Sequence, residues 1–329
     1  MPLYSPETAA ELGYLRCSSG GTFFGIPLSS VRSVERPDRI EWNPQSGGPD
    51  GWLPAENAMR SQRVPVYGVS GLLNLSAAAQ SFGAVVNVSD GPSSWAIGFD
   101  HVERFAAQAH ADQLRPLPEW ISAEARTIFR GVLAVEDSLM LCLDLAGMAP
   151  AGSQGDRTTP RPFSPGPTAQ IHNLPAGAST TSNGQAQIIR FSVPGVSEHC
   201  ALSARQVIEF VTSAPTVQVP WSKPELPGIV LWRNQALAIL ELGHALSGGV
   251  DLPASSRLLI VQAGGGKGIV ALRVGKLLPS LQNAAAFRPS QKQLRVDGKL
   301  LRGVFEGPEG TVLIPDIPAI LENIAAPAQ

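Results

Sequence analysis

The chain is poor in charge. Asp, Glu, Lys and Arg supply only 16% of its residues, against about a quarter in typical soluble domains, and the formal net charge is −2. No basic patch stands out to neutralise phosphates, so nucleic-acid binding through bulk electrostatics is not expected. Cysteine is sparse as well. Cys17, Cys142 and Cys200 are odd in number, far apart and outside any CxxC pair, whereas disulfide scaffolds and zinc sites need paired spacings. Cys142 lies in an apolar run, where a small core residue is the simplest reading. No stretch approaches the roughly 18 uninterrupted apolar residues of a membrane span. Met1-Pro2-Leu3-Tyr4-Ser5-Pro6-Glu7 lacks a basic segment followed by an apolar run. A cytoplasmic protein with no membrane insertion is the expectation.

Recognisable reaction chemistry is also missing. Gly264–Gly268 with Lys267 has the composition of a phosphate loop but not its spacing, and Lys267 is followed by Gly268 and a β-branched run instead of Ser or Thr. A hairpin turn suits it better. Gly68-Val69-Ser70-Gly71 lacks the spacing of a nucleophile elbow. His101, His110, His172, His199 and His244 form no i,i+4 pair. His199-Cys200 is the one adjacent pair of ligand types, and on a strand its side chains face opposite ways. Asp144 and Asp316 each end an apolar strand, where a carboxylate caps backbone N–H groups; Glu241, after Ala238-Ile239-Leu240, reads the same way. With no nucleophile–base–orienter set, no catalytic residue, metal or cofactor is assigned and the chain is not expected to be an enzyme.

What the chain does have is the same unit twice. Arg302-Gly303-Val304 and Asp316 lie 172 residues after Arg130-Gly131-Val132 and Asp144. Leu226-Pro227 and Arg233 lie 173 after Leu53-Pro54 and Arg60, and Leu202 and Val207 lie 176 after Ile26 and Val31. At 329 residues the length suits two domains. Between the repeats, residues 149–185 are dense in Pro, Gly, Ser and Thr, a composition that buries too little apolar area to fold. This linker, with a coil span of roughly 30–36 Å, separates a domain at 12–148 from one at 186–326. Each is expected to fold alone.

Both halves read as all-β with few short helices. Ile189, Phe191 and Val193 alternate with Arg190 and Ser192, the period of a half-buried strand. Arg257–Val261 and Ile269–Val274 flank the glycine turn, and Ala84–Val88 and Trp95–Phe99 form the matching hairpin. Short helical turns are expected within 65–75, 120–128 and 241–246. Arg60 precedes Val64-Pro65-Val66 as Arg233 precedes Leu237-Ala238-Ile239. Such an Arg satisfies local acceptors or anchors a partner. These residues make Arg60, Val64, Val66, Arg233, Leu237 and Ile239 the candidate partner-binding set.

The order of these pieces resembles the CheW-like domain family of bacterial chemosensory arrays. The second half carries the resemblance through Ala201–Phe210, Leu226–Asn234, Leu237–Leu242, Leu301–Val304 and Leu313–Asp316. The first half carries it through Gly25–Val34, Val64–Val66, Ile97–Val102, Phe129–Val132 and Leu141–Leu145. It departs at Ser61 and Gly68, where the family has Gly and Asp. The resemblance implies two tandem CheW-like domains, each of two small SH3-like five-stranded barrels on a shared apolar core. It implies a non-catalytic adaptor that binds the regulatory domain of a CheA-type histidine kinase and the cytoplasmic tips of chemoreceptors. The alternative is a tandem β-barrel module that regulates a different sensory kinase or pathway. Because the first half departs from the pattern, the second is expected to carry most of the binding.

Overall fold

The computed structural model describes residues 11–43, 48–54, 63–73, 75, 82–90, 93–110, 113–148, 187–247, 257–281, 288–290, 296–307 and 310–326. Arg60, Ser61 and the segment 149–185 assigned as the linker lie outside them.

The first half contributes β1 (Glu11–Ser19), β2 (Thr22–Pro27), β3 (Val31–Glu35), β4 (Glu41–Trp42), β5 (Gly51–Leu53), β6 (Val64–Gly68), β7 (Ala84–Asp90), β8 (Ser93–Phe99), β9 (His101–His110), β10 (Phe129–Val135) and β11 (Ser138–Leu143). The second contributes β12 (Ile188–Ser192), β13 (His199–Ser203), β14 (Val207–Val211), β15 (Thr216–Gln218), β16 (Gly228–Trp232), β17 (Gln235–Leu240), β18 (Arg257–Gln262), β19 (Ile269–Val274), β20 (Leu277–Leu281), β21 (Arg288–Pro289), β22 (Leu301–Gly307) and β23 (Gly310–Pro315). The helices are short: α1 (Val69–Leu72), α2 (Ala123–Ile128), α3 (Leu145–Met148), α4 (Leu242–Ser247) and α5 (Ile317–Ala325).

These strands form four sheets, two in each half, and the halves repeat one another. The order β10-β11-β2-β1-β9 returns as β22-β23-β13-β12-β20 with β21 added at the edge. At the place of β21 the first half has a single bridge from Arg115 to Val132. The order β3-β7-β8-β6-β5-β4 returns as β14-β18-β19-β17-β16-β15. The first sheet has the expected five strands. Each of the others gains a sixth of only two or three residues, namely β4, β15 and β21.

Many strands are apolar throughout because both their faces are buried. In β11, Leu139, Leu141 and Leu143 join the main core, while Met140 and Cys142 join Tyr14 and Leu133 in a smaller cluster. The half-buried reading of β12 is corrected on the same ground. Arg190 is only 1% exposed, and its Nε and Nη2 donate to the carbonyl of Pro279 at 3.3 and 3.1 Å. A polar residue at period two therefore did not mark solvent.

The hairpin reading of Gly264–Gly268 holds. Gly264, Gly265, Gly266 and Gly268 all have positive φ, and the Ala263 N–H donates to the Gly268 carbonyl at 2.9 Å. The matched aspartates also behave alike. Asp144 Oδ1 accepts from the Ala146 N–H at 3.2 Å and Asp316 Oδ1 from the Ala319 N–H at 3.3 Å. Each carboxylate also pairs with its matched arginine, Arg130 at 3.7 Å and Arg302 at 3.3 Å. Replacing Asp316 with Ala is expected to cost about 0.5–2 kcal/mol, chiefly through the lost cap of α5, because a partly exposed ion pair adds little. Thermal unfolding of the variant checks this.

The two halves touch. β15 packs against β11. Arg115 Nε donates to Asn234 Oδ1 at 3.0 Å, and the Lys267 ammonium sits 5.6 Å from the centre of the Trp120 ring.

Candidate partner-binding surface

Arg233 sits at the tip of the β16–β17 hairpin. Arg233 and Asn234 have φ of 45° and 64°, so both central residues of this two-residue turn are left-handed. That is the turn whose twist matches paired strands. The turn throws the Arg233 side chain outward, where it stays 55% exposed. Its Nη2 lies 2.9 Å from Glu209 Oε2 on β14, and its guanidinium lies over the Trp232 ring at 4.7 Å. Trp232 Nε1 donates to the same carboxylate oxygen at 2.9 Å. Glu209, Trp232 and Arg233 thus form a surface group in which the cation is already oriented.

Three of the other candidate residues lie beneath the surface. Val66 is buried with Ile40, Leu53, Val85 and Ala96. Leu237 and Ile239 are buried with Val230, Trp232, Leu258 and Ile260. Val64 is half-buried. Leu237 and Ile239 belong to the sheet that carries the Arg233 turn, and Val64 and Val66 to the corresponding sheet of the first half; direct contact with a partner is not open to the buried three. Arg60 falls outside the described residues, which leaves Arg233 as the exposed member of the set among those described.

The strand ladders also correct one match between the halves. Gly51 is opposite Val66 and Gly228 is opposite Ile239, so Gly51 corresponds to Gly228 and Leu53 to Val230. The Leu53-Pro54 echo of Leu226-Pro227 is therefore not a structural equivalence. The connection between β5 and β6 is longer than the tight turn bearing Arg233. Sequence reasoning missed Glu209 and Trp232 as partners of Arg233, because only the cross-strand pairing brings β14 beside this hairpin.

A second difference lies at the ends of β6 and β17. Parallel pairing sets Gly68 opposite Gly98 in the first half and, by the same register, Glu241 opposite Arg273 in the second. Glu241 is 4% exposed and ion-paired to Arg273. Burial pushes its pKa above the ordinary carboxylate range, while Arg273 and then His244 pull it back. Glu241 thus acts through a buried ion pair, which replaces the capping role expected for it. In the first half the Phe82 ring occupies the corresponding space. A Cβ on Gly68 would come within 2.8 Å of that ring, and one on Gly98 would overlap it. Asp50 Oδ2 accepts the Gly68 N–H at 2.6 Å, so this strand end is packed and satisfied.

The cysteines are buried and free. Burial pushes the Cys142 and Cys200 thiols up to about 12 and raises Cys17 further, so none is poised as a nucleophile. Among the described residues no group of His, Cys, Asp and Glu is arranged to hold a metal ion, and no helix is long and apolar enough to cross a membrane.

The model of the CheW-like domain matches this chain twice, over residues 13–151 and 187–325. No curated protein matches it. Among solved structures, the crystal structure of the scaffolding protein TtCheW from Thermoanaerobacter tengcongensis is similar at 18% identity. The similarity covers 40% of this chain and 88% of that one, with a TM-score of 0.35.

Proposed function

Because the chain belongs to the CheW-like domain family, with two copies of the domain in tandem, we propose that it is a non-catalytic adaptor in chemosensory signalling. It couples chemoreceptor tips to the regulatory domain of a CheA-type histidine kinase. The observation that carries this reading is the duplicated domain itself, which occupies most of the chain. Two modules on one chain raise each other's effective concentration, so modest single-site affinities suffice. The second half is the main kinase-binding module in this reading, because it presents the oriented Arg233.

Titration of the full chain with the isolated kinase regulatory domain and with a receptor-tip fragment tests the proposal. Saturable binding to both is expected. Binding to neither, with capture of an unrelated sensory kinase, would move the chain to the alternative reading.

Arg233 supplies a sharper test. Its ion pair is solvent-exposed, and such pairs contribute about 0–1 kcal/mol to stability. Arg233→Ala is therefore expected to keep its melting temperature within a few degrees. As an interface anchor it should lose about 1–3 kcal/mol of affinity for the kinase domain. Unchanged affinity with a large drop in melting temperature would confine Arg233 to a structural role.

A further inference from the structure

We propose that the first half restrains its own chain: packed against the second half, it covers ground that a kinase regulatory domain needs around the Arg233 turn, so the halves must part before that domain seats. This rests on the reading that Arg233 anchors the kinase domain. The restraint starts with the turn itself, whose two central residues are Arg233 and Asn234. Arg233 is exposed, whereas Asn234 is already engaged, its Oδ1 accepting from Arg115 Nε of the first half at 3.0 Å. The turn joins β16 to β17, and on its other side β16 pairs with β15, which packs against β11 of the first half. Elsewhere along the contact, Lys267 of the second half lies over the Trp120 ring of the first.

Size decides whether a partner can use Arg233 and leave this contact in place. A stable interface covers about 800 Å² on each partner, a disc of roughly 16 Å radius. Binding anchors cluster near the centre of such a disc. Asn234 follows Arg233 directly in the chain and Arg115 is hydrogen-bonded to it, so the first half stands well inside that footprint. Glu209 and Trp232 hold Arg233 from within the second half and need not move. The contact that must open is modest at its rim. The Arg115–Asn234 bond is exposed. The Lys267 ammonium also pairs with Glu322 of its own half at 3.3 Å, so it keeps a partner when Trp120 leaves. The covalent tie makes the restraint effective, because the first half competes at a local concentration that dilution of the chain does not lower. By linkage, whatever holds the halves together weakens kinase binding, and kinase binding parts the halves by the same factor.

Two measurements on the full chain test this. In the first, the kinase regulatory domain is titrated against the wild-type chain and Arg115→Ala. The Arg115 backbone stays bonded to Val132 through its N–H and C=O, so the substitution removes the contact to Asn234 and leaves that bridge intact. Affinity for the kinase domain is expected to rise about two- to tenfold. In the second, Glu124→Cys and Arg205→Cys, at exposed positions on either half, carry a donor and an acceptor dye. The native cysteines are buried and do not take label. Energy transfer should fall as the kinase domain is added, with the same midpoint as binding. Transfer that holds at saturation would overturn the proposal. So would an Arg115→Ala affinity that is unchanged or lower; a lower one would make Arg115 part of the kinase-binding surface. Binding by neither protein would instead sink the adaptor reading, and this inference with it.

Discussion

Arg273→Met is expected to cost the protein about 3–5 kcal/mol of stability at neutral pH, because it leaves the Glu241 carboxylate buried without its charge partner. Glu241 is 4% exposed, so water cannot take over from the guanidinium. The loss should depend on pH in a definite direction. Burial already holds Glu241 above the ordinary carboxylate range, and Arg273 is the largest influence pulling it back. Without Arg273 the folded-state pKa rises further. A carboxyl whose folded pKa exceeds its unfolded value binds its proton more tightly in the native state. Its favourable contribution is fully present below the unfolded pKa and disappears as pH rises through the folded one. The deficit of Arg273→Met should therefore be smallest in acid and grow toward neutrality. Urea unfolding in acid and at neutral pH measures it. Adding Glu241→Leu should recover much of the loss, since replacing a whole buried pair with apolar residues is often neutral. A deficit below about 1 kcal/mol, or one flat with pH, would mean that solvent reaches the pair.

This pair also shows where the sequence stopped being legible. The repeat was readable wherever the halves keep one length. The arginine–aspartate matches at an offset of 172 became the same ion pair twice, and the 176 offset placed Val31 and Val207 at equivalent ends of β3 and β14. It failed where one half has extra residues. Leu53-Pro54 matched Leu226-Pro227 by letter, but the longer β5–β6 connection shifts Leu53 to the place of Val230. Hairpins and glycine turns were visible because their chemistry is local. Glu241 with Arg273, Phe82 over Gly68 and Gly98, and Glu209 with Arg233 were not, because each joins residues brought together only by sheet order. The same blindness to sheet order assigned Val66, Leu237 and Ile239 to a partner. Alternation along a strand does not reveal that a second layer covers its other face, and it misplaced Arg190 for that reason.

Gly68 stands where the family has Asp, and in the structure it forms the floor of an aromatic site. Gly98→Ala should accordingly destabilise the protein by about 1–3 kcal/mol, the usual cost of overpacking, because the new methyl overlaps the Phe82 ring and β8 is held on both sides by β7 and β6. The backbone itself gives no reason for the loss, since Gly98 is not among the glycines with positive φ. If the ring is the obstacle, a smaller side chain at position 82 should relieve it. Phe82→Leu in the Gly98→Ala background is expected to restore part of the stability that Gly98→Ala removes, even though Phe82→Leu alone lowers it. The double-mutant cycle of thermal unfolding free energies isolates that coupling. Strictly additive losses would show that Gly98 serves the strand and not the ring. In that case the glycine pair and Phe82 would be independent replacements for the ion pair of the second half.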